Sequence, residues 1–272
     1  MAGSHVLADI LCGVDGTRAS YEAVSQAASL LATDGRLTLL VATEQRGSEP
    51  WETATVAPAL AQRSLDRAQR LAHEAGVTRI EQVAATGPAE EVLLAGAREH
   101  SLLAMGAPNV SRLAHMFVGG ISSEIVHALP CSLLVARRPP ADVRFGERIM
   151  VASDGSDRSD ALLSFAIGLA AGREAGLVLF HAPHAESSAQ PTRIAAQTRR
   201  VREALDDLAV VCVEPGRPQT TIAEAAAREG ASLLLVASRA RSGLRALGSV
   251  SERLVHSAPC SVLVLRPEDL SR

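Results

Sequence analysis

The sequence predicts an α/β protein built from two copies of one domain, each a parallel β-sheet with helices on both faces. Three observations predict it. First, the chain repeats itself. Val14-Asp15-Gly16-Thr17 after an apolar run is answered by Ala152-Ser153-Asp154-Gly155-Ser156, and Pro130-Cys131-Ser132-Leu133-Leu134-Val135 is answered by Pro259-Cys260-Ser261-Val262-Leu263-Val264. The copies are spaced by one ordinary domain length, which is not the period of a short-repeat solenoid. Second, each copy alternates short apolar runs with longer stretches of helical periodicity, and βα units in series give a parallel sheet with right-handed crossovers. Third, 272 residues of which 47% are apolar and 21% charged suit a globular core in each half.

In the first half, Val6 to Val14 reads as a strand buried on both faces, and Thr17 precedes an Ala/Leu/Val pattern that predicts a helix to about Ala32. Asp34-Gly35 turns the chain into a second strand, Leu37 to Thr43. A polar segment with Pro50 and Pro58 leads to a helix from about Ala59 to Glu74, stopped by Gly76. Ile80 to Ala85 is the third strand. Pro88 opens a helix to about His100, and Ser101 to Met105 is the fourth strand. A loop from Gly106 to Val118 precedes a short helix from about Gly120 to Leu129, and Cys131 to Ala136 closes the half.

The second half repeats the order, with strands at Arg148 to Ser153, Leu177 to His181, Ala209 to Val213, Leu233 to Ala237 and Ser261 to Leu265. Pro139-Pro140 with flanking charges predicts a semi-rigid linker. The domains are therefore expected at 1–138 and 148–272, joined by 139–147.

Composition excludes several chemistries. All 27 basic residues are arginine. Without lysine there is neither a Walker-type phosphate loop nor a Schiff base. A formal charge of -3 gives no electrostatic attraction to nucleic acid or an acidic membrane, and aromatic residues at 2% cannot build base-stacking platforms. No apolar stretch reaches the roughly 18 residues that span a bilayer, and no leader is evident. A cytoplasmic location is expected. Cys12, Cys131, Cys212 and Cys260 form no CxxC pair and lie in or beside apolar strand-like runs, as small hydrophobes do.

Open parallel sheets bind ligands beyond the carboxyl ends of their strands, where the winding direction reverses. Asp15-Gly16, the loop from Gly106 and Gly119-Gly120 all leave that edge. Gly119-Gly120-Ile121-Ser122 and Gly248-Ser249-Val250-Ser251 open helices, where free N–H groups and the positive end of the dipole suit phosphate; a plain glycine-serine cap has the same form. Asp15 and Asp154 are either turn aspartates or carboxylates that accept ribose hydroxyls, since an anion beside phosphates would repel them.

The remaining polar residues point nowhere specific. His127 and His256 stand at matching helix ends, as capping or packing residues do. His181 and His184 lack a third ligand for a metal site. Arg239, Arg241 and Arg245 form either a solvated loop face or an anion-attracting one.

The order Val-Asp-Gly-Thr, Gly-Pro-Ala-Glu-Glu, Leu-Leu-Ala-Met-Gly, Gly-Gly-Ile-Ser and Pro-Cys-Ser-Leu-Leu-Val resembles the universal stress protein family. The second half resembles it through Ser-Asp-Gly-Ser, Gly-Arg-Pro, Leu-Leu-Leu-Val-Ala-Ser-Arg, Leu-Gly-Ser-Val-Ser-Glu and Pro-Cys-Ser-Val-Leu-Val. The resemblance implies two tandem flavodoxin-like domains of the adenine nucleotide alpha hydrolase type, each with strand order 3-2-1-4-5. In one branch it also implies an ATP site with the pattern G-x2-G-x9-G-[ST].

The first half keeps that spacing as Gly106, Asn109, nine residues and Gly119-Gly120. The second has Ala237, Ala240, only seven residues and Gly248-Ser249. Carried over by position, Asp15 would meet ribose, Ala42 the adenine edge, and Gly106, Asn109, Gly119, Gly120 and Ser122 the phosphates. The counterparts in the more altered half are Asp154, Ala182, Ala237, Gly248, Ser249 and Ser251.

The expected protein is a stress-response sensor or regulator that binds ATP or a related nucleotide, chiefly in its first domain, with Mg2+ left open as companion. No catalytic residue is assigned, and slow hydrolysis is left open. The alternatives are an adaptor or chaperone-like module without nucleotide, and an ATP-hydrolysing or nucleotidyl-transfer enzyme on the same sheet. The resemblance also implies association through the last strands, either as an intrachain pseudo-dimer or as a homodimer.

Overall fold

The computed structural model describes residues 7–43, 56–107, 123–140, 142–182, 191–238 and 248–270. These fall into two compact units that divide after Arg137. In the first unit, β1 (Asp9–Gly13), α1 (Arg18–Leu30), β2 (Arg36–Thr43), α2 (Pro58–Glu74), β3 (Ile80–Thr86), α3 (Ala89–Ala97), β4 (Leu102–Gly106), α4 (Ser123–Ala128) and β5 (Ser132–Ala136) follow in order. Its strands pair in parallel in the order β3-β2-β1-β4-β5.

The second unit contains β6 (Arg148–Ser153), α5 (Asp157–Ala171), β7 (Gly176–His181), α6 (Pro191–Leu205), β8 (Ala209–Val213), α7 (Pro218–Arg228), β9 (Leu233–Ala237), α8 (Ser249–Ser257), β10 (Ser261–Leu265) and α9 (Pro267–Leu270). Its order is β8-β7-β6-β9-β10, again all parallel. Each unit thus has the expected 3-2-1-4-5 sheet.

Predicted and observed elements differ by one to three residues at most described ends. Two elements are additions: the 3-10 turn Asp206–Leu208 and the four-residue α9. Both are about a single turn, too short to leave a hydrophobic period in the sequence. The predicted loop and helix start at 108–122 lie outside the described residues. Residues 146–147 hydrogen-bond into the second unit, Gly146 N–H to Ser232 Oγ at 3.0 Å and Gly176 N–H to the Glu147 carbonyl at 3.0 Å.

Central strands are buried on both faces through their middle residues because helices cover both sides of the sheet, so their sequence is continuous apolar rather than alternating. Ile10, Leu11, Cys12, Leu102, Leu103 and Ala104 fill the first core, and Ile149, Met150, Val151, Leu233, Leu234 and Leu235 the second. Three of the four cysteines, Cys12, Cys131 and Cys260, are buried, and none of the four forms a disulfide. Desolvation, with the Asp15 charge adding to it, pushes the Cys12 thiol far up, so it stays protonated and unreactive.

The two Asp-Gly corners are built alike. Gly16 (φ +79°) and Gly155 (φ +73°) take the left-handed conformation that lets each chain leave its strand and enter a helix at once. Asp15 Oδ1 accepts the Thr17 N–H at 2.8 Å, and Asp154 Oδ1 accepts that of Ser156 at 3.0 Å. Thr17 and Ser156 then cap α1 and α5 by accepting the N–H of Ser20 and Ser159.

The units differ where strand meets helix. A Cβ on Gly106 would stand 2.5 Å from the carbonyl oxygen of Ala19 in α1 and 2.8 Å from its Cβ. Gly106 is glycine because α1 backbone crosses there, a reason independent of any phosphate. Gly106→Val should lower stability by about 1–3 kcal/mol, the usual range for overpacking, in urea unfolding followed by circular dichroism. An unchanged midpoint would show that the close approach is absent in solution.

Candidate functional site

Winding reverses between β6 and β9, and there the second unit holds a cavity of about 160 Å³. Much of its lining is polar or lies at strand ends and helix starts: Ala152, Ser153 and Asp154 at the end of β6, Ser156, Arg158 and Ser159 at the start of α5, Ala182 after β7, Val236, Ala237 and Ser238 at the end of β9, and Gly248 to Ser251 at the start of α8. Pro218 and Ile222 of α7 complete an apolar wall. Parallel register sets this up, because Val151 pairs with Leu235 and both chains leave the sheet two residues later.

Most polar side chains around the cavity already have partners. Ser153 Oγ donates to Gln197 Oε1 at 2.7 Å and accepts the Gly155 N–H at 3.2 Å. Gln197, itself buried, donates to Ser159 Oγ at 3.3 Å and to Asp160. Ser251 Oγ donates to the Ala237 carbonyl at 3.1 Å, tying the first turn of α8 to the end of β9. These bonds fix the wall and explain how so many hydroxyls are buried there without cost.

Other groups remain unmet. Ser238 is fully buried, and its Oγ has no partner among the described residues. Helix α8 begins at Gly248 with no side-chain cap, so its first-turn N–H groups are left for another acceptor. The arrangement can therefore take up hydrogen-bond acceptors, and an anion gains further from the helix dipole.

His181 is also buried, beside the cavity in sequence. Its Nδ1 donates to the Ser153 carbonyl at 3.0 Å, and its Nε2 has no partner among the described residues. Desolvation lowers its pKa, outweighing the Ser153 bond and the Asp154 charge, so the ring is neutral at pH 7. His184 lies outside the described residues. Among those described, no group of three or more His, Cys, Asp or Glu could hold a metal.

The structure brings all six second-half positions, Asp154, Ala182, Ala237, Gly248, Ser249 and Ser251, around one cavity. The methyl group of Ala237 leaves it open. In the first unit, Asp15, Ala42 and Gly106 end β1, β2 and β4 or the turn beyond, while Asn109, Gly119, Gly120 and Ser122 lie outside the described residues. The Ala42 carbonyl accepts the Val56 N–H at 2.9 Å, which uses one of its lone pairs. His256 is exposed in the last turn of α8, and the side chain of His127 and residues Arg239, Arg241 and Arg245 are outside the description.

Sequence reasoning missed Ser153, Arg158, Ser159 and Ser238. Alignment of the two Asp-Gly corners would have drawn attention to Arg158, which stands where the first half has Ala19. Nothing in the sequence signals the unpartnered Ser238 hydroxyl.

The Universal stress protein family matches the sequence over residues 8–137 and again over 146–266. The chain belongs to the universal stress protein family, as a tandem pair. It is similar to universal stress protein Rv2624c of Mycobacterium tuberculosis (strain ATCC 25618 / H37Rv), with 26% identity over 189 residues. That match spans 65% of this chain and 65% of the relative, a little under two thirds of its length.

Among solved structures, the universal stress protein from Archaeoglobus fulgidus DSM 4304 superposes with a TM-score of 0.71 at 17% identity, covering 96% of this chain and 99% of that one. The functionally unknown protein PA1789 from Pseudomonas aeruginosa PAO1 gives 0.65 at 18% identity, covering 98% and 95%. At these identities the likeness establishes the shared fold alone. Among the described residues no helix is long and apolar enough to cross a membrane.

The neutral state of His181 has a consequence for stability. Because its folded pKa is depressed, the unfolded chain binds the extra proton first, and stability falls as pH drops from about 6.5, the ordinary histidine value, towards the lower folded one. Above about 6.5 the full stability is present. Urea unfolding at pH 8 and pH 5.5 should show a loss in the native protein that shrinks in His181→Gln. Equal losses in both would place the titration elsewhere.

Proposed function

We propose that this chain is a stress-response sensor or regulator that binds ATP or a related adenine nucleotide at the carboxyl edge of its sheets. The domains are taken as 1–138 and 148–272, joined by 139–147. What carries the proposal is the gathering of Asp154, Ala182, Gly248, Ser249 and Ser251 around one cavity at the β6–β9 switch point. The apolar wall of Ala152, Pro218, Ile222 and Val236 suits a base. Asp154 stands where a carboxylate accepts ribose hydroxyls, and the uncapped start of α8 suits phosphate. In the first domain, Asp15, Ala42, Gly106, Asn109, Gly119, Gly120 and Ser122 supply the corresponding positions with the better sequence spacing.

The role is one of binding rather than catalysis. Asp154 Oδ1 is engaged by the turn, Ser153, Ser159 and Ser251 are bonded within the wall, and no lysine exists to stabilise a transferring phosphoryl group. Mg2+ enters, on this proposal, with the phosphates of its ligand.

Calorimetric titration of the intact protein with ATP, with and without Mg2+, tests this. Saturable binding is expected. Asp154→Ala should weaken the second-domain equivalent about ten-fold, and Asp15→Ala the first-domain one, by loss of a hydrogen bond to a charged acceptor. No saturable binding of any adenine nucleotide would defeat the proposal and favour a nucleotide-free adaptor.

A further inference from the structure

We infer that Arg158 and Ser238 form, with the start of α8, an anion seat peculiar to the second domain that takes the phosphate of a phosphomonoester. The inference deepens the nucleotide proposal for the same cavity by naming what holds the charge.

Three unmet groups meet in that cavity, and all are donors. Ser238 Oγ is fully buried and unpartnered among the described residues. The first turn of α8 has no side-chain cap. Arg158 is half-buried, lines the cavity, and makes no hydrogen bond or ion pair with any described residue. Arginines elsewhere in this domain find carboxylates readily: Arg193 pairs with Asp157, and Arg228 with Glu214 at 2.5 Å. A half-buried guanidinium left without one is available to a ligand.

Among the described residues the seat has no equivalent in the first domain. Counting from the aspartate of each corner, Arg158 matches Ala19, and as the last residues of their strands Ala237 matches Gly106. In the first domain Gly106 packs against the Ala19 backbone, and that position carries no charge. In the second domain the same position carries a planar fork of N–H donors whose geometry matches phosphate oxygens. The loop between Ala237 and Gly248 is two residues shorter than its counterpart and has lost its early glycines. A side-chain cation replaces donors that a glycine-rich loop would supply from backbone.

The prediction is a selectivity by charge. AMP and ATP should bind the second domain far more tightly than adenosine does, whereas Asp154 and the apolar wall contribute to all three. The experiment is titration of AMP, ATP, adenosine and inorganic phosphate into the full chain carrying Asp15→Ala, which weakens the first-domain site and is the common background of every comparison, and into the same chain with Arg158→Gln, Arg158→Lys or Ser238→Ala; only the component that changes between these chains is assigned to the second domain. Thermal midpoints monitor folding of each variant.

Arg158→Gln should weaken AMP and ATP about 10- to 100-fold and flatten their salt dependence, with adenosine unchanged. Arg158→Lys should recover part of the loss, and Ser238→Ala should cost about 5- to 10-fold. Equal weakening of adenosine and AMP by Arg158→Gln, or no effect on AMP, overturns the seat. If adenine nucleotides do not bind the intact protein, the nucleotide proposal fails alone. Phosphate binding by 31P NMR then decides the seat: a shift lost in Arg158→Gln sustains it, and no shift overturns it.

Discussion

Parallel pairing with reversal of winding between β6 and β9 is the constraint on which the rest of the second domain depends. Because every strand runs the same way, every strand-to-helix turn emerges at one edge. Because β6 and β9 send their following chains to opposite faces, the helices diverge and leave a crevice that no crossover covers. The Asp154-Gly155 corner and the Gly248-Ser249 helix start therefore meet although they are far apart in sequence. The Ser251 bond to the Ala237 carbonyl then locks the angle at which α8 departs.

The same pattern occurs twice, but the two domains settle it differently. In the first, a glycine ends β4 and α1 closes down upon it, so strand and helix are packed as near as backbone allows. In the second, alanine ends β9, arginine occupies the facing turn of α5, and a network of Ser153, Gln197, Ser159 and Asp160 joins the cavity wall to α6. A duplicated domain thus holds two chemically unlike edges on one topology. The difference between the halves lies in those few side chains and needs no change of fold.

Much of the fold was legible because buried parallel strands write themselves as apolar runs bounded by turn residues. Thr17, Ser156, Pro88 and Gly155 each have a local backbone reason that can be stated without coordinates. The six second-half candidate positions were also named from the sequence, as what the family resemblance implies. What could not be read depends on distance in three dimensions. Gly106 reads from the sequence as a ligand-facing glycine; that a Cβ there would also run into Ala19 of α1 is visible only in three dimensions. Gln197 lies 44 residues from the serine it binds, and nothing about an isolated glutamine on a helix announces that bond. Ser238 is one hydroxyl in a serine-rich chain, and only burial without a partner sets it apart.

The central claim is that the Asp-Gly corner after β6 and the uncapped start of α8 act as one binding unit. A crystal structure of the protein grown with an ATP analogue tests it most directly. The account predicts ligand density bounded by Asp154 on one side and the Gly248 to Ser251 backbone on the other. An ordered second domain at saturating analogue, with that hollow filled only by water and the analogue bound elsewhere, would contradict it.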